Sequence, residues 1–423
     1  MKYFSVLFLL LSATVASIAA TIQVPADQPT IQAAIDAAKN GDRVVVAPGT
    51  YFENINFEGK AIRVISSGGR KVTIIDGSHA NSVVTFDSGE GPKSVLEGFT
   101  IQHGNASNYE GGGIYISEAS PTIIGNLITN NTACADGAGI AVRFSSAVVK
   151  NNTISNNSGP GCDLTGAGML VGGAGSAQII GNVIENNITI SGNGGGIEVN
   201  AAGTPTLENN IITGNSASGL SPASDGGGIY IINDSNALIL QNLIYNNTAP
   251  QGSGIYFGVP YSSRGPLLVN NTIVGTSSSP QGSAVYADGF DDQVQFYNNL
   301  MIGPSGANAV YCDSTYDQIP PTFTNNDAFS ANGSGLQGTC AAQASTDGNI
   351  STNPMFVGKT NFHLKAGSAV IDAGDNSAPD LPPLDLGGKP RIVDGNGGGI
   401  AIIDMGAYEY QPPVAEAVTP ARP

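Results

Sequence analysis

Residues 194–210 read GGGIEVNAAGTPTLENN, running from Gly194-Gly195-Gly196-Ile197 to Asn210. Variants of this phrase recur along the chain. The openings are Gly111-Gly112-Gly113-Ile114, Gly137-Ala138-Gly139-Ile140, Gly166-Ala167-Gly168-Met169, Gly194 to Ile197, Gly226-Gly227-Gly228-Ile229, Gly252-Ser253-Gly254-Ile255 and Gly282-Ser283-Ala284-Val285. The answering asparagines are Asn126, Asn152, Asn182, Asn210, Asn242, Asn271 and Asn299, and Asn326 closes a degenerate further unit. Successive positions differ by 26, 30, 28, 32, 29, 28 and 27 residues. A drifting period in this range marks a solenoid, in which each unit is too small to bury its own apolar face and must stack on its neighbours.

Within a unit nothing has helical period. Short apolar runs recur in phase at Ile123-Ile124, Ala147-Val148-Val149, Ile179-Ile180 and Leu238-Ile239-Leu240. Strands about ten residues apart in a repeat near 28 imply three strands per coil, pairing in parallel with the next coil. The reading is an all-β, single-stranded parallel β-helix over residues 21–340, with roughly eleven coils and a length on the order of 50 Å. Stacked asparagines can hydrogen-bond along the axis as in cross-β ladders, and the glycine openings permit positive φ at a tight corner. A phosphate-cradling loop would need a helix after the glycines, whereas a strand follows each time.

Ile31, Ala34, Ile35 and Ala38 share one helical face between Pro29 and Gly41. They predict a short helix within an N-terminal cap at 21–42, covering the first coil's open core and strand edge. Short strands are expected at Arg43 to Val46, Tyr51 to Phe57, Ala61 to Ser66, Val72 to Asp76 and Ser82 to Phe86. Residues 1–20 read as a secretory signal: Lys2, then apolar Val6 to Leu11, then small Ser17-Ile18-Ala19-Ala20. The repeat fades near 340. Residues 341–410 are expected to cap or pack on the end of the solenoid, and the Pro- and Ala-rich residues 411–423 to be a flexible tail.

The net charge is −17, with only 16 basic residues spread along the chain. Nucleic acid is excluded as a partner, because phosphate binding needs clustered cations. A polyanionic sugar would be repelled unless a cation mediates. No stretch is long and apolar enough for a transmembrane helix. Four cysteines in an exported chain suggest disulfides. Cys134 and Cys162 are one coil apart, as are Cys312 and Cys340, so adjacent-coil stacking would bring each pair within bonding range; the alternative is buried free thiols.

The phrases Thr30-Ile-Gln-Ala-Ala-Ile35 and Val45-Val-Ala-Pro-Gly-Thr-Tyr-Phe-Glu53 resemble the N-terminal cap and first coil of the pectin-lyase-like superfamily. The repeats resemble those of bacterial right-handed β-helix proteins and are similar to those of polymorphic outer-membrane proteins. Gly367-Ser-Ala-Val-Ile-Asp-Ala-Gly374, Asp385-Leu-Gly-Gly-Lys-Pro-Arg391 and Asp404-Met-Gly-Ala-Tyr-Glu409 resemble the choice-of-anchor region of such exported proteins. The resemblance implies a right-handed helix and export. It does not imply one activity, since the superfamily holds lyases, hydrolases, esterases and non-enzymes. The phrases of polygalacturonases, pectin methylesterases and pectate lyases are missing: no Gly-His-Gly follows Asp291-Asp292, and Val393 follows Arg391-Ile392.

Several residues remain as candidates. Glu110, Asp136, Asp163, Asn193, Asp225, Gln251 and Gln281 stand at or just before the glycine openings. Stacked, they form a stripe that binds calcium or sugar hydroxyls, or else caps the glycine turns. Asp291 and Asp292 are a general acid/base pair or a solvated turn. His103 is a general base or a surface histidine at a turn; His79 has Asp76 nearby and no clear partner; His363 reads as packing. Asp394, Asn396 and Asp404 have partial calcium-loop spacing, with Gly398 at one ligand position. Asp372, Asp385, Arg391 and Glu409 read as an ion network. The functional expectation is a secreted or cell-surface, monomeric protein that binds polysaccharide or another surface ligand. The alternatives are a lyase or glycoside hydrolase with an unfamiliar site, or an adhesin.

Overall fold

The computed structural model describes residues 19–107, 110–159, 164–218, 224–259, 264–276, 284–289, 293–315 and 319–413. The strands fall into three long parallel sheets of twelve, eleven and eleven strands. In the coil that follows Gly194, sheet C holds Ile197–Asn200, sheet A holds Thr206–Glu208 and sheet B holds Ile211–Thr213. The chain repeats this C–A–B order along a right-handed parallel β-helix. The interior is made of columns of aliphatic side chains in register. One column on sheet B runs Ile101, Ile128, Ile154, Ile184, Ile212, Ile244 and Ile273, all fully buried. Each such side chain contributes about 1.5–3 kcal/mol on burial, which no isolated coil could realise.

The first coil is covered as expected. A helix, Ile31–Ala37, buries Ile31, Ala34 and Ile35, and the Thr30 hydroxyl caps it by accepting from the Ala33 amide at 3.1 Å. The stretch expected as one strand from Tyr51 to Phe57 is two, Gly49–Phe52 and Ile55–Asn56. Between them Glu53 accepts from the first amides of the helix, those of Ile31 and Gln32, at 2.9 Å each. The chain turns there to hold the cap.

The asparagine ladder occupies the corner between sheets A and B. From Asn152 to Asn349, each side-chain oxygen accepts both the backbone and side-chain N–H of the asparagine one coil earlier, beginning with Asn126, at 2.9–3.1 Å. A second ladder, absent from the sequence reading, runs Asn131, Asn157, Asn187, Asn215 and Asn247 at the end of sheet B. The glycine openings need glycine for two reasons. Gly194 has φ +64, whereas Gly196 has no positive φ: a Cβ there would lie 2.5 Å from the Gly228 carbonyl oxygen of the next coil.

Residues 341–350 continue onto the last coil, where Ala344 packs against the core and Asn349 takes the final rung of the ladder, and the C-terminal segment then leaves the end of the solenoid. It lies along its side, on the A–B corner. The side-chain amides of Gln241, Asn270, Asn298 and Asn325 donate to the carbonyls of Leu384, Asp404, Asp375 and Ala373. Leu240, Leu267 and Val269, on the outer face of sheet A, are buried with Ala378. Arg391, 1% exposed, donates to Gln241, Gly406 and Ala407 and lies 3.8 Å from Glu409. Asp385 instead accepts the Glu409 and Lys389 amides, and Asp372 those of Gly395 and Asn396, so the expected ion network is mostly a set of carboxylate caps. His363 packs against Tyr408 with ring centroids 4.1 Å apart.

Cys312 and Cys340 form a disulfide with Cα atoms 5.7 Å apart. Cys134 is also disulfide-bonded; its expected partner Cys162 lies outside the described residues. Among the described residues, no helix is long and apolar enough to cross a membrane.

Candidate functional site

Alternation sends every second residue of a sheet C strand outward. In register, one outward column reads Tyr115, Ala141, Leu170, Glu198, Tyr230, Tyr256, Tyr286 and Tyr311. The residues immediately before the glycine openings stand beside this column. The glycine amide after each donates to the next one's carbonyl: Gly111 to Asp136, Gly137 to Thr165, Gly166 to Asn193, Gly194 to Asp225 and Gly226 to Gln251. Backbone pairing thus sets the described residues before the openings in one row, with one difference from the expected set, and Gln281 lies outside the described residues. Thr165, not Asp163, fills the third position, because it directly precedes Gly166; Asp163 lies outside the described residues.

The early part of the stripe is neutralised from within the chain. Arg143, on the same sheet, makes a paired contact with Glu110 at 2.7 and 2.6 Å and reaches Asp136 at 2.8 Å. The cation expected between adjacent carboxylates is this guanidinium. The Thr165 hydroxyl bridges Asp136, at 2.6 Å, to Glu198. Glu198 is 2% exposed; burial, and then the charge of Asp136, push its carboxyl up to about 7. Glu198 was missed in the sequence reading.

Among the described residues, no such cation neutralises the later part. Tyr230, Tyr256, Tyr286 and Tyr311 stack with ring centroids 5.1, 5.5 and 5.5 Å apart. The Tyr256 hydroxyl donates to Asp288 and that of Tyr286 to Asp313. Burial, with these carboxylates, pushes both hydroxyls up. Asp225 is 6% exposed, and its Oδ1 has no hydrogen-bond partner. Burial, then the charge of Asp288, push it up to about 7. Nearer the N-terminal end of the same face, Asn81, Ser82, Thr85, Ala106, Glu110 and Tyr115 line a cavity of about 350 Å³.

The remaining candidates lie elsewhere. His103 sits at the sheet B–C turn with its Nδ1 2.8 Å from Asp76. Asp291 and Asp292 lie outside the described residues. In the C-terminal segment, Asp394 accepts the Gly399 amide, Asn396 that of Gly398, and Asp404 those of Asp372 and Tyr410. Each of these residues caps a backbone turn, while Asp394 Oδ1 is buried without a hydrogen-bond partner among the described residues. Among the described residues, no group of three or more His, Cys, Asp or Glu side chains is arranged to hold a metal ion.

The family described as "Right handed beta helix region" matches residues 50–227 and 165–318. No curated protein sequence matches the chain. Among solved structures, the crystal structure of pectate lyase Pel9A is similar at 16% identity and a TM-score of 0.56, over 93% of this chain and 97% of that one. At that identity the likeness is one of fold. Stacked register, ladders and sequence pattern agree: the chain belongs to the right-handed β-helix family.

Proposed function

We propose that this is a secreted or cell-surface protein that binds a neutral polysaccharide along the outer face of sheet C. The observation that carries the reading is Asp225 Oδ1, buried and without a donor, on an aromatic, acid-rich face. An unpaired buried acceptor gains most from a ligand hydroxyl. Hydroxyls of the stacked tyrosines hold Asp288, whose charge acts on Asp225, and Asp313 further along the face, so little order is lost on binding. The uncompensated acidity disfavours a polyanion and favours an uncharged, hydroxyl-rich chain. Stacked coils repeat the same contacts along one direction, which suits a repeating ligand.

A second reading is a carbohydrate-active enzyme. It is favoured by the carboxyls of Glu198 and Asp225, both raised to about 7, near the range in which a general acid works. One experiment addresses both. Affinity electrophoresis through neutral and acidic polysaccharides should retard the mature protein in at least one neutral gel, and Asp225→Ala should abolish the retardation. Retardation only by acidic polysaccharides, or an unaffected variant, would refute the binding reading. New reducing ends in the same incubations would establish turnover.

A further inference from the structure

The turn joining sheets B and C in the early coils holds two histidines in a fixed pair. The imidazoles of His79 and His103 have ring centroids 5.0 Å apart, tilted by 31°. Main-chain bonds pin them together: the His79 amide donates to the His103 carbonyl at 2.6 Å, with Gly77 to Gln102 before it and Asn105 to Asn81 after it. Ser78, His79, Asn81 and His103 all adopt left-handed φ, between +45 and +59. His103 takes the corner position that Asn130, Asn156 and Asn186 fill in later coils, also at positive φ. The other three have no such counterpart in the repeat.

Asp76 lies beneath the pair. It accepts from Ser78 at 2.9 Å, from Gln102 at 2.9 Å and from His103 Nδ1 at 2.8 Å. This contact engages Nδ1 of His103 and leaves Nε2 as the ring nitrogen that Asp76 does not hold. The His79 ring is exposed. A carboxylate that fixes one ring nitrogen so that the other can coordinate is the usual support for a metal-bound histidine.

We propose that the His79–His103 pair binds one divalent transition-metal ion of the zinc, copper or nickel type, with Asp76 as the positioning residue and water completing the shell. Imidazole suits these ions. Two nitrogens sharing an ion at about 2.1 Å each lie within about 4 Å of one another, which ring centroids 5.0 Å apart allow. Hard ions such as Mg²⁺ prefer oxygen and are not retained. The site is independent of the polysaccharide reading.

Titration calorimetry of the tag-free protein with Zn²⁺, and with Mg²⁺ as a control, tests this. One Zn²⁺ per chain and no Mg²⁺ are expected, with loss of Zn²⁺ binding at about pH 5, where protons compete for imidazole. His79→Gln and His103→Asn should each abolish binding; the second places asparagine where later coils already use it, so the fold persists by circular dichroism. Asp76→Asn should weaken binding 10- to 100-fold. No Zn²⁺ binding by the wild type, or binding unchanged in His79→Gln or His103→Asn, would overturn the site. An unchanged affinity in Asp76→Asn would overturn its positioning role.

Discussion

Asn210→Ala tests what holds the coils in register. Asn210 is fully buried in the middle of the first ladder. Its Oδ1 accepts the Asn182 amide at 2.9 Å and the Asn182 side-chain N–H at 3.1 Å. Its Nδ2 donates to the Ile179 carbonyl at 2.8 Å and to Asn242 Oδ1 at 2.9 Å. Alanine removes all four. The Asn182 amide and one Asn182 side-chain hydrogen then lose their partner, while Asn242 Oδ1 keeps the Asn210 backbone amide at 2.9 Å and the Ile179 carbonyl still faces its sheet neighbour. Each orphaned buried group costs about 1–3 kcal/mol, so the loss is at least about 2 kcal/mol. A long repeat array need not unfold in one step, so the readout is native-state hydrogen exchange of the Asn182 amide, supported by urea unfolding. Exchange should quicken by at least about thirtyfold, since each 1.4 kcal/mol corresponds to a factor of ten. Asn233→Ala, at an exposed turn outside both ladders, is the control. Protection at Asn182 reduced by less than about 1 kcal/mol, as for an ordinary surface change, would refute the ladder as a source of stability.

Glu198 has a folded-state pKa of about 7 against an ordinary value of 4.5, so the native state binds the extra proton between them. Stability then falls as pH rises through that window and levels above it; Glu198→Gln should lose this slope and gain up to about 3 kcal/mol over wild type at the upper end, and parallel urea-midpoint curves would count against it. Arg391 is the buried cation facing Glu409, whose carboxyl burial and the charge of Asp404 push up to about 9. Arg391→Ala should destabilise the docked segment by about 3–5 kcal/mol, read as new proteolytic cleavage within residues 380–410 while the solenoid stays intact. Because Asp394, Asn396 and Asp404 are engaged by backbone amides, adding calcium or a chelator should leave Tm unchanged; a clear rise with calcium would mean these caps rearrange around an ion.

The periodic features were open to reading because they obey one rule per coil. The spacing of Asn126 to Asn326 contains the first ladder, and the 28-residue separation of Cys312 and Cys340 contains their disulfide. The second ladder had a signal that went unused: the doublets Asn130-Asn131, Asn156-Asn157, Asn186-Asn187 and Asn246-Asn247 follow the first ladder at a constant offset. The docking of the C-terminal segment also left a trace. Sheet A strands elsewhere keep at least one polar outward residue, as in Thr206-Leu207-Glu208, but Leu238-Ile239-Leu240 and Leu267-Leu268-Val269 are apolar throughout, which suits a covered outer surface.

The site was harder, because its residues meet only after register is known. Glu198 looks like any outward strand residue until pairing sets it beside Tyr230 and within reach of Thr165 and Asp136. Asp163 is the nearest acid to the third opening, yet the position belongs to Thr165, since coil length drifts and charge alone does not fix phase. His79 and His103 are 24 residues apart, shorter than the repeat, so neither pointed to the other.

The central claim is that the outer face of sheet C holds the polysaccharide. Hydrogen exchange of the mature protein, with and without the neutral polysaccharide that retards it most, tests this directly. The account expects new protection in residues 225–232, 255–258, 285–289 and 310–313, where Asp225, Tyr230, Tyr256, Tyr286 and Asp313 stand, with sheets A and B unchanged. Protection centred on sheet A, on sheet B or on the docked C-terminal segment, with sheet C unaltered, would contradict it.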